Sequence, residues 1–238
     1  MFNEEDTLEA LVGNVFDVDY GVDEFEVVIV DDCSTDSSFD VAQRISNNHS
    51  DMIIVKHQKN QGKGAAIRTA MKSASGDIMV IQDADLEYDP RDIRSLIDLI
   101  IKDSADVVFG SRFLSSGPHR VLYFWHQLGN NFLTLFSNIM TNINLTDMEV
   151  CYKAFSRKVI DTIEIEENRF GFEPEITAKI AKGQWRIFEI PISYFGRTYD
   201  EGKKIGWRDG VRAIVCILKY NLLRSPHPDS PAGRRRKK

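Results

Sequence analysis

The chain has 238 residues, of which 42% are hydrophobic and 28% are charged, and its formal net charge is −6 at neutral pH. This composition is typical of one globular domain with a sizeable core. A negative net charge argues against general affinity for nucleic acid, which requires broad neutralisation of phosphates. The cysteines, Cys33, Cys151 and Cys216, are odd in number and widely spaced, so they indicate neither a disulfide framework nor a zinc site and favour a reducing, cytoplasmic setting.

The N-terminal segment Met-Phe-Asn-Glu-Glu-Asp is acidic and has no hydrophobic signal region, so we do not expect export. The longest stretch without charge, residues 121–146, is long enough to span a bilayer. Polar and apolar residues alternate along it at helical spacing, which predicts an amphipathic helix rather than a transmembrane one. The polar side contains His126, Gln127, Asn130, Asn131, Thr134, Asn138 and Thr141, and the apolar side contains Leu122, Trp125, Leu128, Phe132, Leu135, Phe136 and Ile139.

Strands alternate with helices in the first half of the chain. The pattern predicts strands at 25–31, 52–56, 77–81 and 106–109, and helices at 37–47, 64–74 and 90–102. This alternation predicts an α/β fold with a largely parallel sheet flanked by helices, in which ligands bind beyond the carboxyl ends of the strands. The charged residues at those ends are Asp31, Asp32, Asp83, Asp85 and Arg112.

The regular alternation of predicted strands and helices ends after Gly110. We predict a strand ending at Phe155, a helix at 173–182, a strand at 185–194 interrupted by Pro191, a cationic loop at 196–206 and a last helix at 207–223. The last helix is expected to bury Trp207, Val211, Ile214, Val215, Leu218 and Leu222. Residues 224–238 contain proline and end in Arg-Arg-Arg-Lys-Lys, which indicates a disordered basic tail.

Two aspartates separated by one residue follow the third predicted strand. Asp83 and Asp85 are expected to point the same way just past the end of that strand. Mg²⁺ or Mn²⁺ binds to one or two carboxylates and completes its coordination with diphosphate oxygens and water. Glu87 is either a third ligand or a partner of the first two. An acidic turn that caps the helix after Pro90 is the simpler alternative, but the order of strand, turn and helix favours a metal site.

Six short motifs, in this order and spacing, resemble the family-two glycosyltransferases of the GT-A fold, up to about Leu223. They are Asn3-Glu4-Glu5, Val30–Asp36, Asn60–Gly64, Asp83-Ala84-Asp85, Gly110–Phe113 and Arg197 with Lys203. The likeness is greatest to the dolichyl-phosphate mannose synthase branch, which transfers a sugar from a nucleotide donor to a polyprenyl phosphate. Relatives begin with a central strand ahead of Asn-Glu-Glu and usually carry glycine at the position of Cys33. The resemblance therefore implies a GT-A sheet that lacks its usual first strand.

The resemblance also implies roles for individual residues, with a nucleotide-sugar half at 1–110 and an acceptor half at 111–223. Donor contacts would come from Glu4, Asp31 and Asp32 at the base and ribose, and from Lys63, Asp83, Ala84, Asp85, Arg197 and Lys203 near the diphosphate. A helix cap at Asp32 and a solvated charge at Lys63 remain the ordinary alternatives.

On the acceptor side, the resemblance implies that Arg112 and His126 bind the acceptor phosphate, because guanidinium pairs with phosphate through two hydrogen bonds. An ion pair for Arg112 and a core position for His126 remain open. Asp147 would orient the acceptor rather than deprotonate it, since a phosphate monoester with a second pKa of about 6 is already ionised at neutral pH.

The sequence therefore predicts an inverting hexosyltransferase that uses Mg²⁺ or Mn²⁺, a GDP- or UDP-sugar donor and a polyprenyl or dolichyl phosphate acceptor. The basic last helix and tail predict peripheral binding to the cytoplasmic face of a membrane. Three alternatives remain. The acceptor could be a sugar hydroxyl. A nucleotidyltransferase would use similar aspartates, although its glycine-rich N-terminal loop is missing. Without the first strand, the chain could also be a nucleotide-sugar-binding module that turns nothing over.

Overall fold

The protein was analysed as a computed structural model. The structure describes residues 1–114, 121, 123–196 and 207–223, and it describes the backbone but not the side chains of 207 and 208. The predicted loop residues Arg197 and Lys203, and the predicted tail at 224–238, lie outside the described residues.

Strands and helices alternate through most of the described chain. The strands are β1 (Val27–Asp31), β2 (Met52–Lys56), β3 (Ile78–Val80), β4 (Val107–Ser111), β5 (Lys153–Ser156) and β6 (Ile187–Pro191). The helices are α1 (Leu8–Phe16), α2 (Ser38–Ser46), α3 (Lys63–Ser73), α4 (Ile93–Ile101), α5 (Phe124–Thr141), α6 (Arg157–Ile160), α7 (Phe172–Gly183) and α8 (Trp207–Leu222). A short 3-10 turn, Pro90–Asp92, precedes α4. The α/β class is therefore confirmed.

Two of these helices were not predicted. The first, α1, buries Leu8, Leu11 and Val12, which are spaced as one face of a helix. That spacing is present in the sequence, but the acidic residues around it make the helical pattern hard to recognise. The second, α6, has only four residues, too few for a periodic pattern.

The strands form two separate sheets. In the first, β1 and β2 pair in parallel. The second has the order β3-β5-β4-β6, in which β4 and β6 are parallel and β5 runs antiparallel to both of its neighbours. Because β5 lies between β3 and β4, the carboxyl ends of β3 and β4 lie at the same edge of the sheet.

The main core surrounds the second sheet. Val107, Val108 and Phe109 of β4 are fully buried, as is Ala154 of β5. A smaller core joins α1 and α2 to the first sheet and contains Leu8, Val12, Ile29, Ala42 and Ile45. Each sheet is thus stabilised by its own cluster of apolar contacts.

The predicted buried face of the last helix was wrong. The residues that α8 buries are Ala213, Cys216, Ile217 and Tyr220, whereas Val211, Val215, Leu218 and Leu222 are exposed. The buried set also has helical spacing, because apolar residues occupy both sides of this helix. Periodicity alone could not choose between the two faces. The side chain of Trp207 lies outside the described residues.

The long helix α5 is amphipathic, as predicted, but its apolar side faces outward. Trp125, Phe132, Leu135 and Ile139 are 57–76% exposed, while Thr134 on the polar side is buried. Helix α8 packs beside α5 and also exposes apolar residues. Of the helices in the described part of the chain, none has the length and apolar character needed to cross a bilayer.

Candidate active site

A cavity of about 1690 Å³ runs along β1 and β3 and continues past the carboxyl ends of β1, β3 and β4. Asp31 and Asp147 are fully buried and do not line it. Most of the other described residues that the sequence analysis selected do line it, namely Glu4, Asp32, Lys63, Asp83, Ala84, Asp85, Glu87, Arg112 and His126. The structure therefore brings together residues that are more than 100 positions apart in the chain.

Lys63 links the Asp83 carboxylate to that of Glu173, and both carboxylates belong to residues that line the cavity. Its Nζ lies 3.0 Å from Asp83 Oδ1 and 3.0 Å from Glu173 Oε1. Burial disfavours both charges, but the ion pair outweighs it, so the pKa of Asp83 lies below its usual value and that of Lys63 well above. Both groups are therefore charged at neutral pH.

Asp85 and Glu87 follow in the same turn. Asp85 Oδ1 accepts a hydrogen bond from the Glu87 backbone N–H at 3.2 Å, and Glu87 Oε2 accepts one from the Tyr194 hydroxyl at 2.9 Å. Within the described residues, no three histidine, cysteine, aspartate or glutamate side chains are grouped to hold a metal ion. The structure thus does not gather Glu87 with Asp83 and Asp85 into a three-ligand site.

The Asp32 carboxylate stabilises the loop that leads into α3. It accepts hydrogen bonds from the backbone N–H groups of Gln61 and Gly62, at 2.9 and 2.6 Å, and lies 2.7 Å from His57 Nδ1. His57 is buried, and its Nε2 lies 2.8 Å from the Thr69 hydroxyl. Nothing in the sequence around His57 pointed to this contact, because its partner is 25 residues away.

Asp31 is held differently from Asp32. Its Oδ1 accepts a hydrogen bond from the Ser34 backbone N–H at 3.1 Å, and its buried Oδ2 has no hydrogen-bond partner among the described residues. The turn from Asp31 to Ser34 places Cys33 at φ +64°, in the left-handed region that favours glycine. This backbone conformation would favour glycine at the position of Cys33.

Two glycines let another part of the backbone approach the start of α3. A Cβ atom on Gly62 would lie 2.5 Å from the Asn168 carbonyl oxygen, and one on Gly64 would lie 2.1 Å from that of Glu167. These distances are shorter than any real Cβ contact. The glycines therefore allow segment 167–169 to pack against the loop that carries Lys63.

Arg112 and Asp147 form a buried ion pair with two hydrogen bonds. Arg112 Nε donates to Asp147 Oδ2 at 2.6 Å, and Nη2 donates to Oδ1 at 2.7 Å. The Asp147 side chain is 0% exposed and that of Arg112 is 14% exposed. Burial alone would lower the pKa of Arg112, but the Asp147 charge raises it well above its usual value. Arg112 is thus fixed at the cavity wall by Asp147.

Glu149, which was not predicted as a site residue, also lines the cavity. Its Oε1 atom is buried, and no hydrogen-bond partner for it lies in the part of the chain that the structure describes. Burial and the neighbouring Glu173 carboxylate raise its pKa from 4.5 to about 8. The raised pKa of Glu149 therefore depends on the tertiary fold, which buries this residue and brings it close to Glu173.

Glu4 and His126 also line the cavity. Glu4 Oε2 accepts a hydrogen bond from the Thr7 hydroxyl at 3.0 Å, just before α1 begins. His126 is half-buried in the first turn of α5, with its ring 5.8 Å from that of Tyr123.

The basic side of α8 is partly used in internal contacts. Arg212, Lys219 and the Tyr220 hydroxyl all donate to the Glu167 carboxylate. Burial of Glu167 opposes its ionisation, but these three hydrogen bonds lower its pKa from 4.5 to about 2. Glu167 therefore anchors α8 to the segment that covers the start of α3.

Comparisons with known proteins agree with this arrangement. Residues 1–164 match the family described as Glycosyl transferase family 2. The chain is 28% identical over 233 residues to an undecaprenyl-phosphate mannosyltransferase of Micrococcus luteus, covering 93% of this chain and 91% of that protein. It is 28% identical over 224 residues to a dolichol-phosphate mannosyltransferase of Pyrococcus furiosus, covering 92% of this chain but only 62% of that longer protein.

The fold is also similar to that of a solved glycosyltransferase. The crystal structure of glucosyl-3-phosphoglycerate synthase from Mycobacterium tuberculosis in complex with uridine diphosphate matches with a TM-score of 0.71 and 18% identity, over 94% of this chain and 79% of that one. At that identity the likeness concerns the fold alone. The family match covers well over half of the sequence, and the chain therefore belongs to glycosyl transferase family 2.

Proposed function

We propose that the protein is an inverting glycosyltransferase that moves a hexose from a GDP- or UDP-sugar to a polyprenyl or dolichyl phosphate. The observation that carries the proposal is the single cavity that joins the two aspartates after β3 to Arg112. The Micrococcus luteus and Pyrococcus furiosus relatives carry names of mannosyltransferases to undecaprenyl and dolichol phosphate, which supports the acceptor class.

The predicted nucleotide-sugar half provides two carboxylates as ligands, and the predicted acceptor half provides the Arg112 guanidinium. Asp83, Asp85 and Lys63 line the cavity, and Arg112 lines it as well. An acceptor phosphate oxygen would attack the anomeric carbon while the bond to the nucleoside diphosphate breaks on the opposite face. The acceptor needs no general base, because a phosphate monoester is already ionised near neutral pH. Arg112 would position the acceptor phosphate, and Asp147 would hold the guanidinium in place.

The aspartates after β3 fit a divalent cation that is shared with the substrate. Mg²⁺ and Mn²⁺ prefer oxygen ligands and commonly take one or two carboxylates together with substrate phosphates. Asp83 and Asp85 supply that number, and a bound cation would stabilise the charge of the leaving diphosphate. Lys63, already 3.0 Å from Asp83, would add a second positive charge on the same side.

A lipid acceptor also requires access to a membrane surface. Helix α5 lines the cavity through His126 and Asn130 and exposes Leu128, Phe132 and Leu135, which do not line it. Aromatic and aliphatic side chains of this kind enter the interfacial region of a bilayer. We therefore propose peripheral binding through α5 and α8, at the cytoplasmic face where anionic lipids favour basic residues.

A sugar hydroxyl is the second candidate acceptor, and Glu149 favours it. A hydroxyl needs a general base with a pKa near the working pH. Glu149 lines the cavity, has a pKa raised to about 8, and has an unpartnered Oε1 atom. Asp147 is less suited to this role, because both of its oxygens are paired with Arg112.

Transfer by matched variants tests the first candidate. Asp85→Asn should abolish transfer from a labelled nucleotide sugar to a short polyprenyl phosphate and leave the far-UV circular dichroism unchanged. Asp40→Asn, an exposed position on α2, should transfer at the wild-type rate. Retained transfer by Asp85→Asn in the presence of metal would refute the assigned role. If Glu149→Gln lost transfer to sugars but not to the phosphate, the hydroxyl acceptor would be supported instead.

A further inference from the structure

The charged side chains that line the cavity are mostly carboxylates, and Asp83, Asp85, Glu149 and Glu173 are among them. A nucleoside diphosphate is itself an anion, so carboxylates alone would repel it. Positive charge is therefore required wherever its phosphate groups bind. A divalent cation at the aspartates would supply part of this charge, and cationic side chains of the cavity would supply more.

Lysine and arginine contribute three side chains to the described lining of the cavity, namely Lys63, Arg112 and Arg169. Lys63 is shared between the carboxylates of Asp83 and Glu173, at 3.0 Å from each. Arg112 is held by two hydrogen bonds to a buried aspartate. The Arg169 side chain, in contrast, forms no ion pair or hydrogen bond with any other described residue. Its positive charge is not committed to a carboxylate of the described chain.

The backbone on both sides of Arg169 is nevertheless firmly held. The fully buried Glu175 carboxylate accepts a hydrogen bond from Glu167 N–H at 2.8 Å. Next along the chain, Asn168 C=O accepts one from Ala65 N–H, in the first turn of α3, at 3.1 Å. The Arg169 C=O accepts one from the first residue of α7 at 3.2 Å. A ligand that bound Arg169 would therefore have to order only its side chain, which lowers the entropic cost of binding.

The aliphatic part of the Arg169 side chain lies against Gly62. A Cβ atom on Gly62 would lie 2.7 Å from Arg169 Cγ and 3.2 Å from Arg169 Cα, so a larger residue would collide with it. Gly62 immediately precedes Lys63, whose Nζ lies 3.0 Å from Asp83 Oδ1. Arg169 itself is exposed. It is thus packed beside the loop that reaches the aspartates after β3, and it keeps its charge available.

The contacts of Arg169 differ from those of Arg112, the cation proposed for the acceptor phosphate. Arg112 is linked to α5, because its Nη2 donates to Asn130 Oδ1 at 3.2 Å. The stem of Arg169 and its neighbour Asn168 contact Gly62 and α3 instead. Both of these belong to the predicted nucleotide-sugar half, which also carries the two aspartates after β3. This placement favours the donor over the acceptor as the ligand of Arg169.

We propose that the Arg169 guanidinium binds the diphosphate of the nucleotide sugar, an inference that rests on the proposed function and adds a donor-binding residue to it. Guanidinium pairs with phosphate through two parallel hydrogen bonds, and in Arg169 no described side chain competes for these donors. Its charge would also stabilise the diphosphate as it leaves. The acceptor phosphate and the leaving diphosphate would then each be bound by an arginine, Arg112 and Arg169 respectively.

Binding of GDP and of UDP in the presence of Mn²⁺ tests this contact without turnover. Isothermal titration calorimetry compares the wild-type chain with Arg169→Gln, which removes the charge but keeps the Cγ atom that lies against Gly62. The diphosphate that binds the wild-type chain should bind Arg169→Gln at least about tenfold more weakly. Arg169→Lys should recover part of this loss, because it retains the charge. Arg44→Gln, at an exposed position of α2 that does not line the cavity, should bind as the wild-type chain does.

Three results would overturn the proposal. An Arg169→Gln protein with the wild-type affinity for the diphosphate would refute the contact. A loss of the same size at about 0.05 M and about 0.5 M NaCl would indicate altered packing, because salt screens a charge pair between exposed groups. If Arg169→Gln weakened the binding of farnesyl phosphate and not that of the diphosphate, Arg169 would belong to the acceptor.

The same titrations separate this inference from the proposed function. Wild-type donor binding and transfer, together with unchanged donor binding by Arg169→Gln, would reject only the role of Arg169. A wild-type chain that bound neither GDP nor UDP would reject the nucleotide donor, and with it both the proposed function and this inference.

Discussion

Replacing Asp147 by asparagine tests the buried ion pair that fixes Arg112. The substitution conserves shape but leaves the Arg112 guanidinium, 14% exposed, without its negative partner. Removing one member of a buried pair typically costs 3–5 kcal/mol, and asparagine can still accept one hydrogen bond, so we expect a loss of about 3 kcal/mol in the free energy of unfolding. For a chain of this length, that corresponds to a fall of roughly 6–12 °C in Tm.

Urea unfolding at neutral pH measures this loss, and an exposed pair provides the control. Asp98 and Lys102 form an i,i+4 pair in α4 with side chains 49% and 63% exposed. Asp98→Asn should therefore cost only about 0.3–0.5 kcal/mol. The double variant Arg112→Met/Asp147→Leu should be more stable than Asp147→Asn, because no buried charge is left unpaired. An Asp147→Asn protein as stable as Asp98→Asn would refute the reasoning.

Three further predictions concern packing and pH. Gly64→Ala should destabilise the protein by roughly 2–3 kcal/mol in urea unfolding, because its Cβ would lie 2.1 Å from a backbone oxygen. Gly13→Ala in α1, where a Cβ would have nothing within 4 Å, should instead stabilise the protein by about 0.5–1 kcal/mol. Equal effects of the two substitutions would contradict the close approach of the backbone at Gly64. The raised pKa of Glu149 contributes a fall in stability as pH rises from about 4.5 to about 8, and Glu149→Gln should remove that contribution, which unfolding curves at pH 5 and 8.5 measure. A wild-type slope that survives in the variant would exclude Glu149 as its source. The lowered pKa of Glu167 contributes stability above pH 4.5 that is lost as pH falls toward 2, so Glu167→Gln should cost about 2 kcal/mol at pH 7 and little at pH 2. A loss of the same size at both pH values would mean that the charge of Glu167 is not what anchors α8.

The secondary structure was largely predictable because most of its signals are local. Runs of β-branched residues between turns located β1 and β2 to within two residues, and the glycines around Lys63 located the start of α3. Helix α8 marks the limit of this approach. Its two apolar faces have the same periodicity, and contacts with α7 and with Glu167 decide which one is buried.

The candidate site was predictable where it depends on strand ends. Because the carboxyl ends of parallel strands meet, Asp32, Asp83 and Arg112 were expected at one cavity, and the structure places them there. Their partners were not predictable. His57 reaches Asp32 across 25 residues, and Asp147 reaches Arg112 across 35 residues, so only the tertiary fold determines these contacts.

The most direct test of the proposed function is a transfer assay with the wild-type chain. Radiolabelled GDP- and UDP-sugars are incubated with a short polyprenyl phosphate, once with Mn²⁺ and once with EDTA, and the organic phase is counted. We predict labelled lipid from one donor with Mn²⁺ and none with EDTA. Donor binding with no labelled lipid from any sugar would contradict transfer to a polyprenyl phosphate, and labelled lipid formed equally in EDTA would contradict the role given to Asp83 and Asp85.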